Sequence, residues 1–392
     1  MLNGGTFLLP RLPLSSSARS TIFLSKMSTM ADPLCRKFVP VEQSEITSIS
    51  KPDGFKFRLV SYNILAQAYV KSALFPHSPS PCLRWKPRSQ AILTVLKSLG
   101  ADFLCLQELD EYDSFYKRNI ESHGYSSIYI QRSGQKRDGC GIFYKPNSSE
   151  LVIEEKIDYN DLVNSVQSGA TSCEVQNNDA PLCGGNKDAG VKDLEPKNNR
   201  EDRGDPNDPL VRLKRDCVGI MAAFRLKDPS GHLIIVANTH LYWDPEWADV
   251  KLAQAKYLLS RLAQFKMLVS DKFESTPSVI VAGDFNSVPG DKVYQYLVSG
   301  GSSLGLLSEC HEDPPISLCS VYAHTRGEPQ FTNCTPGFTG TLDYIFFSPS
   351  GDVKPVSYLE LPEPESSDVH GGLPNYQHPS DHVPIGAEFE VV

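Results

Sequence analysis

ADFLCLQELD, residues 101–110, is a short apolar run that ends on a carboxylate. Asp102 to Gln107 read as a strand that delivers Glu108 at its C-terminal end. Just upstream, Ile92, Val95, Leu96 and Leu99 follow the i, i+3, i+4, i+7 spacing of a helix over Ser89 to Leu99, and Gly100 is placed to end it. Before that helix, FKFRLVSYNIL (55–65) is rich in aromatic and branched residues and predicts a strand running into a loop at Asn63. The pattern returns downstream. HLIIVANTHL ends near His240, a helical segment follows from Asp249 to Phe265, PSVIVAGDFN ends in Asp284 and Asn286, and GTLDYIFFSP supplies Asp343. Polar residues at the ends of apolar strands, with helices between them, predict an α/β sandwich with its functional site along one sheet edge.

With 392 residues, 40% hydrophobic and 22% charged, the chain can bury a sizeable core. The punctuation favours one large domain, residues 51–392, over two average ones. No apolar run approaches the roughly 20 residues of a membrane span, so no membrane partner is expected. The net charge of -9 argues against a broad basic surface that holds nucleic acid by counterion release alone. A polyanionic substrate must then be held locally, with help from a cation. Ten cysteines, scattered from Cys35 to Cys334 without a CxxC pair, read as reduced thiols rather than a disulfide framework or a zinc site.

Residues 1–50 read as an N-terminal tail. Within it, residues 1–31 carry Arg11, Arg19, Lys26, many serines and no acid, which resembles an organellar transit peptide. Met27 and Met30 offer internal starts that would delete such a signal, leaving a plain disordered tail. The expected compartment is the cytoplasm and the nucleus, or a mitochondrion or plastid if residues 1–30 act as a signal. Between Asp161 and Asp208 the composition shifts to Asn, Asp, Gly, Lys and Pro with no aromatic residue, which predicts a disordered insertion or, alternatively, a partner-binding segment.

Hydrolysing a phosphodiester requires a cation on the non-bridging oxygens, a group that orients water, and donors for the developing charge. Glu108 can bind a hard cation through oxygen, and Asn63 can complete that shell or contact phosphate. In GDFNSVP, Gly283 lets the backbone turn, and Asp284 and Asn286 can point the same way from an extended segment, one to orient water and one to hold phosphate. The same string also suits an Asx-type turn. Asp343 and His382 can form a carboxylate–imidazole pair, Asp381 is a second candidate metal ligand, and His240 can donate to the scissile phosphate.

The ordered strings YNILAQ, LCLQE, DGCGIFYKP, NTHLYWDP, GDFNSVP, LDYIF and PSDHVP, spread over roughly residues 55–392, resemble the catalytic domain of the endonuclease/exonuclease/phosphatase superfamily. The resemblance implies a four-layered α/β sandwich, dependence on Mg2+ (one or two ions, with Mn2+ as a substitute), and phosphoester hydrolysis by the residues just named. Within that superfamily, WDPEWADVKLAQ and FTGTLD resemble the carbon catabolite repressor four type of messenger RNA deadenylase, a group related to nocturnin and angel proteins. That resemblance implies a 3'-to-5' exoribonuclease that shortens single-stranded poly(A) RNA and releases 5'-AMP. It maps an adenine-holding pocket onto Pro245 and Phe338, with Asn286 as a further substrate contact. Otherwise Phe338 is a buried loop aromatic and Pro245 a turn residue.

The leucine-rich repeats of the larger deadenylases have no counterpart upstream of Lys51, which puts repeat-mediated docking onto a deadenylation complex in doubt. The rival activity is a phosphatase acting on NADP, as in nocturnin, or on RNA ends, as in angel proteins. Nocturnin-like enzymes carry basic residues just after the THL string, where Tyr242, Trp243, Asp244 and Pro245 stand here. A non-catalytic RNA-binding scaffold is the third reading, although none of the candidate positions has been replaced.

Overall fold

A computed structural model of the chain describes residues 33–41, 54–164, 205–300 and 314–392. Among the described residues fifteen strands make two large sheets and a hairpin. In the first sheet the order is β1 (Phe38–Pro40), β14 (Val353–Leu359), β15 (Ile385–Val391), β2 (Lys56–Asn63), β3 (Phe103–Gln107), β5 (Gly139–Tyr144) and β4 (Ser126–Gln131). In the second it is β10 (Cys319–Ser320), β13 (Asp343–Phe347), β9 (Ser278–Asp284), β8 (Leu233–His240), β7 (Val218–Leu226) and β6 (Ser149–Asp158). Strands β11 (Asn333–Thr335) and β12 (Phe338–Gly340) form the hairpin.

Period-two alternation explains the layering. Phe57, Leu59, Phe103 and Cys105 from the first sheet meet Ile220, Ala222, Phe224, Ile280 and Ile345 from the second in one buried cluster. The opposite parity of the first sheet, Val60, Tyr62, Leu104 and Leu106, packs on Ile92, Val95, Leu96 and Leu99 of the helix Trp85–Ser98. That of the second, Ile235, Ala237, Val279 and Val281, packs on Leu258, Leu262 and Phe265 of the helix Ala248–Phe273. Helix, sheet, sheet, helix is the four-layered sandwich expected.

The elements differ from expectation mainly at their ends. Gly100 closes the first helix at φ +60°, but that helix begins at Trp85, where Pro87 is tolerated in the first turn. The long helix runs on past Phe265 to Phe273, with Val269 still buried. The tail read over residues 1–50 is shorter than its assigned limit: Phe38–Pro40 pair with β14 at the sheet edge, and Arg36 bonds Asp368 at 2.7 Å. Residues 1–32, the transit-like stretch, lie outside the described residues. Of the insertion read over about 161–208, residues 165–204 lie outside the described residues, and the described ends do not read as inserted chain. Leu162 and Val163 are buried, and Asp208 caps the turn Pro209–Arg212 through Leu210 N–H. Two apolar side chains there do find a core, which the polar average of the segment hid. All seven cysteines among the described residues are free thiols. No helix among them is long and apolar enough to cross a membrane.

Deleting residues 161–208 behind a short Gly/Ser bridge should therefore destabilise the protein by about 3 kcal/mol or more, the loss of two buried aliphatic side chains. Deleting only 165–204 should leave the melting temperature near that of the full chain. Thermal denaturation of the two deletions side by side checks this, and equal melting temperatures would contradict the corrected boundary.

Candidate active site

Followed toward one rim, the facing sides of the two sheets change from hydrocarbon to amide to charge at fixed parity. On β2, Phe57 and Leu59 lead to Ser61 and Asn63; on β8, Ile234 and Val236 lead to Asn238 and His240; on β9, Ile280 and Ala282 lead to Asp284. On β13 the inward set is Asp343, Ile345 and Phe347. The amide donors of this belt bond within it, whereas Gln107 Oε1 is buried without a partner. Gln107 Nε2 donates to Ser61 Oγ (3.0 Å) and Asn238 Oδ1 (2.7 Å), and Asn238 Nδ2 donates to the carbonyls of Leu106 and Gly141 at 3.0 and 2.9 Å. Parallel register Asn63↔Gln107 aligns two strand ends in the first sheet, and His240↔Asp284 with antiparallel Asp343↔Asp284 aligns three in the second.

Above that belt Asn63 joins the sheets. Its Nδ2 donates to Glu108 Oε1 (3.1 Å) and to Asp284 Oδ2 (3.0 Å), while its Oδ1 accepts from Leu65 N–H at 3.0 Å. The side chain thus faces the carboxylates with its donor, so in this arrangement it acts as a bridge and not as the oxygen ligand expected. Glu108 also accepts from Ala66 N–H at 2.9 Å. Glu108, Leu65 and Asn286 all sit at positive φ (52°, 56° and 48°), a left-handed backbone that non-glycine residues adopt at a cost of order 1–3 kcal/mol and that clusters at functional sites. Enclosure by protein, then the charges of Asp381 and Asp138, push the Glu108 carboxyl up to about 8.

Across the rim, His382 Nδ1 lies 2.7 Å from Asp343 Oδ2, which also accepts from Thr332 Oγ1 at 2.6 Å. Thr332 Oγ1 in turn accepts from the backbone N–H of Asp343 and Leu342, so the carboxylate is aimed by its own strand. Asp284 Oδ2 stands 3.5 Å from His240 Nε2 and 3.7 Å from His382 Nε2. Burial works against a charged His382, but Asp343 and Asp284 outweigh it and hold the imidazolium well above its ordinary pKa. Burial raises Asp284, reinforced by Asp343, and lowers His240. Two histidines on one carboxylate are thereby set apart, one charged and one neutral.

GDFNSVP is the Asx turn and not an extended pair. Asp284 Oδ1 accepts Asn286 N–H at 2.9 Å, and Asn286 Nδ2 turns to Leu241 O at 3.0 Å. Gly283 is required by close approach and not by turning, since a Cβ there would stand 2.1 Å from Thr239 O. Lys251, buried in the first turns of the long helix, donates from Nζ to Asn286 O at 2.7 Å and so pins the strained residue. Pro245 opens the turn Pro245–Trp247, capped by Asp244. Phe338, on β12, is 42% exposed, which removes the buried-aromatic alternative.

Sequence reading missed Lys251, Thr332, and the trio Tyr69, Asp138 and Arg132. Tyr69 Oη donates to Asp138 Oδ1 at 2.6 Å, and Arg132 Nη1 lies 3.5 Å from Asp138 Oδ2. The one available signal for that trio was the acid opening DGCGIFYKP. Sequence reading also took the YWDP turn as lacking positive charge, yet Arg212 and Arg215 stack on Trp247 from elsewhere in the chain.

The donor set fits a hard divalent cation. Glu108, with Asp381 as its foremost charged neighbour, forms an oxygen-rich flank whose mutual repulsion a cation would relieve. Asp284, Asp343 and His382 also lie within metal-binding reach of one another. The short Nδ1–Oδ2 bond makes the last two a carboxylate–imidazole pair first, so the Glu108 flank is the better seat, although Asp343 Oδ1 is buried without a partner.

The endonuclease/exonuclease/phosphatase family pattern matches residues 60–382. The chain belongs to that family. It is 59% identical over 403 aligned positions to the carbon catabolite repressor protein 4 homolog 4 of Arabidopsis thaliana, covering 93% of this chain and 94% of that protein. It is 28% identical to the CCR4-Not complex 3'-5'-exoribonuclease subunit Ccr4 of Saccharomyces cerevisiae, covering 97% of this chain and 44% of that one, so the chain spans about half the length of such fungal relatives. Among solved structures, ANGEL2, a 2',3'-cyclic phosphatase, in complex with adenosine-2',3'-vanadate, matches with TM-score 0.65 at 27% identity, over 91% of this chain and 99% of that one. The human Nocturnin catalytic domain shares the fold with TM-score 0.58 at 23% identity, over 91% and 97%. Enzymes of this family are divalent-metal dependent, and the donor set here is compatible with such an ion.

Because the metal-free protein holds the Glu108 proton to about pH 8 while an unfolded carboxyl releases it near 4.5, this group favours the native state below about 4.5 and loses that advantage as pH rises toward 8. A cation must displace the proton. The cation-induced rise in melting temperature should grow from about pH 6 to about pH 8 in the wild type and stay flat in Glu108→Gln. Melting curves with and without divalent cation check this; a rise independent of pH in the wild type would contradict it.

Proposed function

We propose that this chain is a Mg2+-dependent 3'-to-5' exoribonuclease that shortens single-stranded poly(A) RNA and releases 5'-AMP. The observation that carries this reading is the solvent-open aromatic Phe338, on the hairpin that runs directly into Asp343. A planar face beside a phosphodiester centre suits a terminal base, and Pro245 is the opposing candidate. The exoribonuclease name of the fungal Ccr4 relatives supports the same reading.

In this mechanism Asp284, its basicity raised by burial, takes the proton of the attacking water as the water oxygen bonds to phosphorus and the bond from phosphorus to the 3'-oxygen of the preceding nucleotide breaks, that oxygen leaving as a 3'-hydroxyl with a proton drawn from solvent. His382, kept charged by Asp343, donates from Nε2 to a non-bridging oxygen as negative charge grows there. Neutral His240 shares Asp284 and keeps its carboxylate oriented. Asn286 contributes to substrate placement from the turn that Lys251 fixes. A cation held by Glu108 and Asp381 would neutralise phosphate charge. Attachment to a deadenylation complex is part of the proposal, by analogy with the fungal subunits.

The likeness to ANGEL2 favours a second reading, hydrolysis of a 2',3'-cyclic phosphate at an RNA end, which would use the same centre. Phe338→Ala separates them from a structural role. On oligoadenylate, kcat/KM should fall roughly five- to more than a hundredfold, the worth of one base–aromatic stack. The preference for A over U should narrow, and a base-free phosphodiester should be cleaved as before. Equal losses on both substrates would mean that Phe338 only props up the Asp343 strand. Faster turnover of a cyclic phosphate than of oligoadenylate by the wild type would favour the second reading.

A further inference from the structure

Immediately after His240 the chain builds a surface that the chemistry above does not use. Leu241 is buried, whereas Trp243 is 58% exposed, among the largest apolar side chains left open to solvent in the described residues. It is not an isolated surface aromatic. Tyr242 lies 6.0 Å from Trp243 and 5.8 Å from Trp247, ring centre to ring centre. Trp247 carries two guanidiniums, Arg212 at 4.0 Å and Arg215 at 4.1 Å, and Arg215 also reaches over Tyr242 at 5.5 Å. Arg212 is anchored by Asp249, with contacts of 2.7 and 2.8 Å, so the array is braced before any ligand arrives. Tyr242 N–H is fixed on Gln254 Oε1 at 2.9 Å.

Three aromatic rings interleaved with two arginines, starting two residues past a candidate catalytic histidine, have the chemistry of a single-strand stacking platform: π-faces that accept any base, and guanidiniums that add cation–π attraction. The net charge of -9 leaves little for a long electrostatic track, so stacking is the affordable source of affinity.

We infer that Trp243, held on the Tyr242–Trp247–Arg215 array, stacks a base of the RNA strand upstream of the scissile phosphate. This rests on the exoribonuclease reading, because an enzyme that seats the 3'-terminal nucleotide at its centre has strand only on the 5' side. Trp243 would then set the preference for a chain over a mononucleotide ester, a role separate from the terminal pocket at Phe338.

The test compares an eight-residue oligoadenylate with the p-nitrophenyl ester of 5'-AMP, which has the scissile phosphodiester and the terminal nucleoside but no upstream base. Trp243→Ala should lower kcat/KM on the oligonucleotide five- to more than a hundredfold, leave the ester within twofold, and raise the Kd of the oligonucleotide for a Glu108→Gln background in step. Trp243→Phe should restore most of the loss. Unchanged cleavage of both substrates, or equal loss on both, overturns the inference, the latter marking Trp243 as a prop for the His240 loop. Absence of wild-type activity on both substrates would instead remove the exoribonuclease reading itself.

Discussion

Two carboxylates from different sheets meet on one amide. Asn63 Nδ2 donates to Glu108 at 3.1 Å and to Asp284 at 3.0 Å, and the sandwich is arranged so that this can happen. Enclosure by protein adds a desolvation penalty to the charged form of each. A neutral donor between them offsets part of both costs without adding a cation that would compete with the metal. The loop that carries Asn63 is correspondingly fixed: Ser380 Oγ donates to Asn63 O (2.7 Å), and the buried Arg88 donates to Ile64 O (2.9 Å). The first helix, the PSDHVP loop and β2 are tied together at that point.

The rest of the rim follows from the same economy. Inward parity on four strands supplies hydrocarbon below, a bonded Gln107–Asn238 amide pair in the middle, and ionisable groups only at the rim. Charge placed one register lower would be buried without partners. The left-handed residues Leu65, Glu108 and Asn286 are the places where strands must stop short and turn their side chains back over the rim. Their strain is held by Ala66 N–H on Glu108, by the Asx bond in the GDFN turn, and by Lys251 on the Asn286 carbonyl.

Much of this was legible in the sequence. Apolar runs ending in Glu108, His240 and Asp284, and one opening at Asp343, point to strand ends because polar residues are rare in the middle of such runs, and helical spacing over 92–99 leaves little choice of face. The Asp343–His382 pair was legible as chemistry and emerges at 2.7 Å. What was not legible depends on contacts distant in sequence. The donor-first orientation of Asn63 is set by Leu65 N–H and by two carboxylates 45 and 221 positions away. Arg212 and Arg215 reach Trp247 from the segment that precedes β7, so a charge missing from the YWDP string is restored by packing. Phe38–Pro40 looked like tail because a three-residue edge strand has no period to detect.

The central claim is that the Asn63 amide holds the two halves of a metal-dependent hydrolytic centre in register. Asn63→Asp tests it most directly, since it keeps the shape, removes the donor and adds a third acceptor between two carboxylates. The account predicts that kcat on oligoadenylate falls by at least about a hundredfold, an interaction worth roughly 3 kcal/mol, while the fold persists in circular dichroism. Wild-type kcat in Asn63→Asp at the same divalent cation concentration would contradict it.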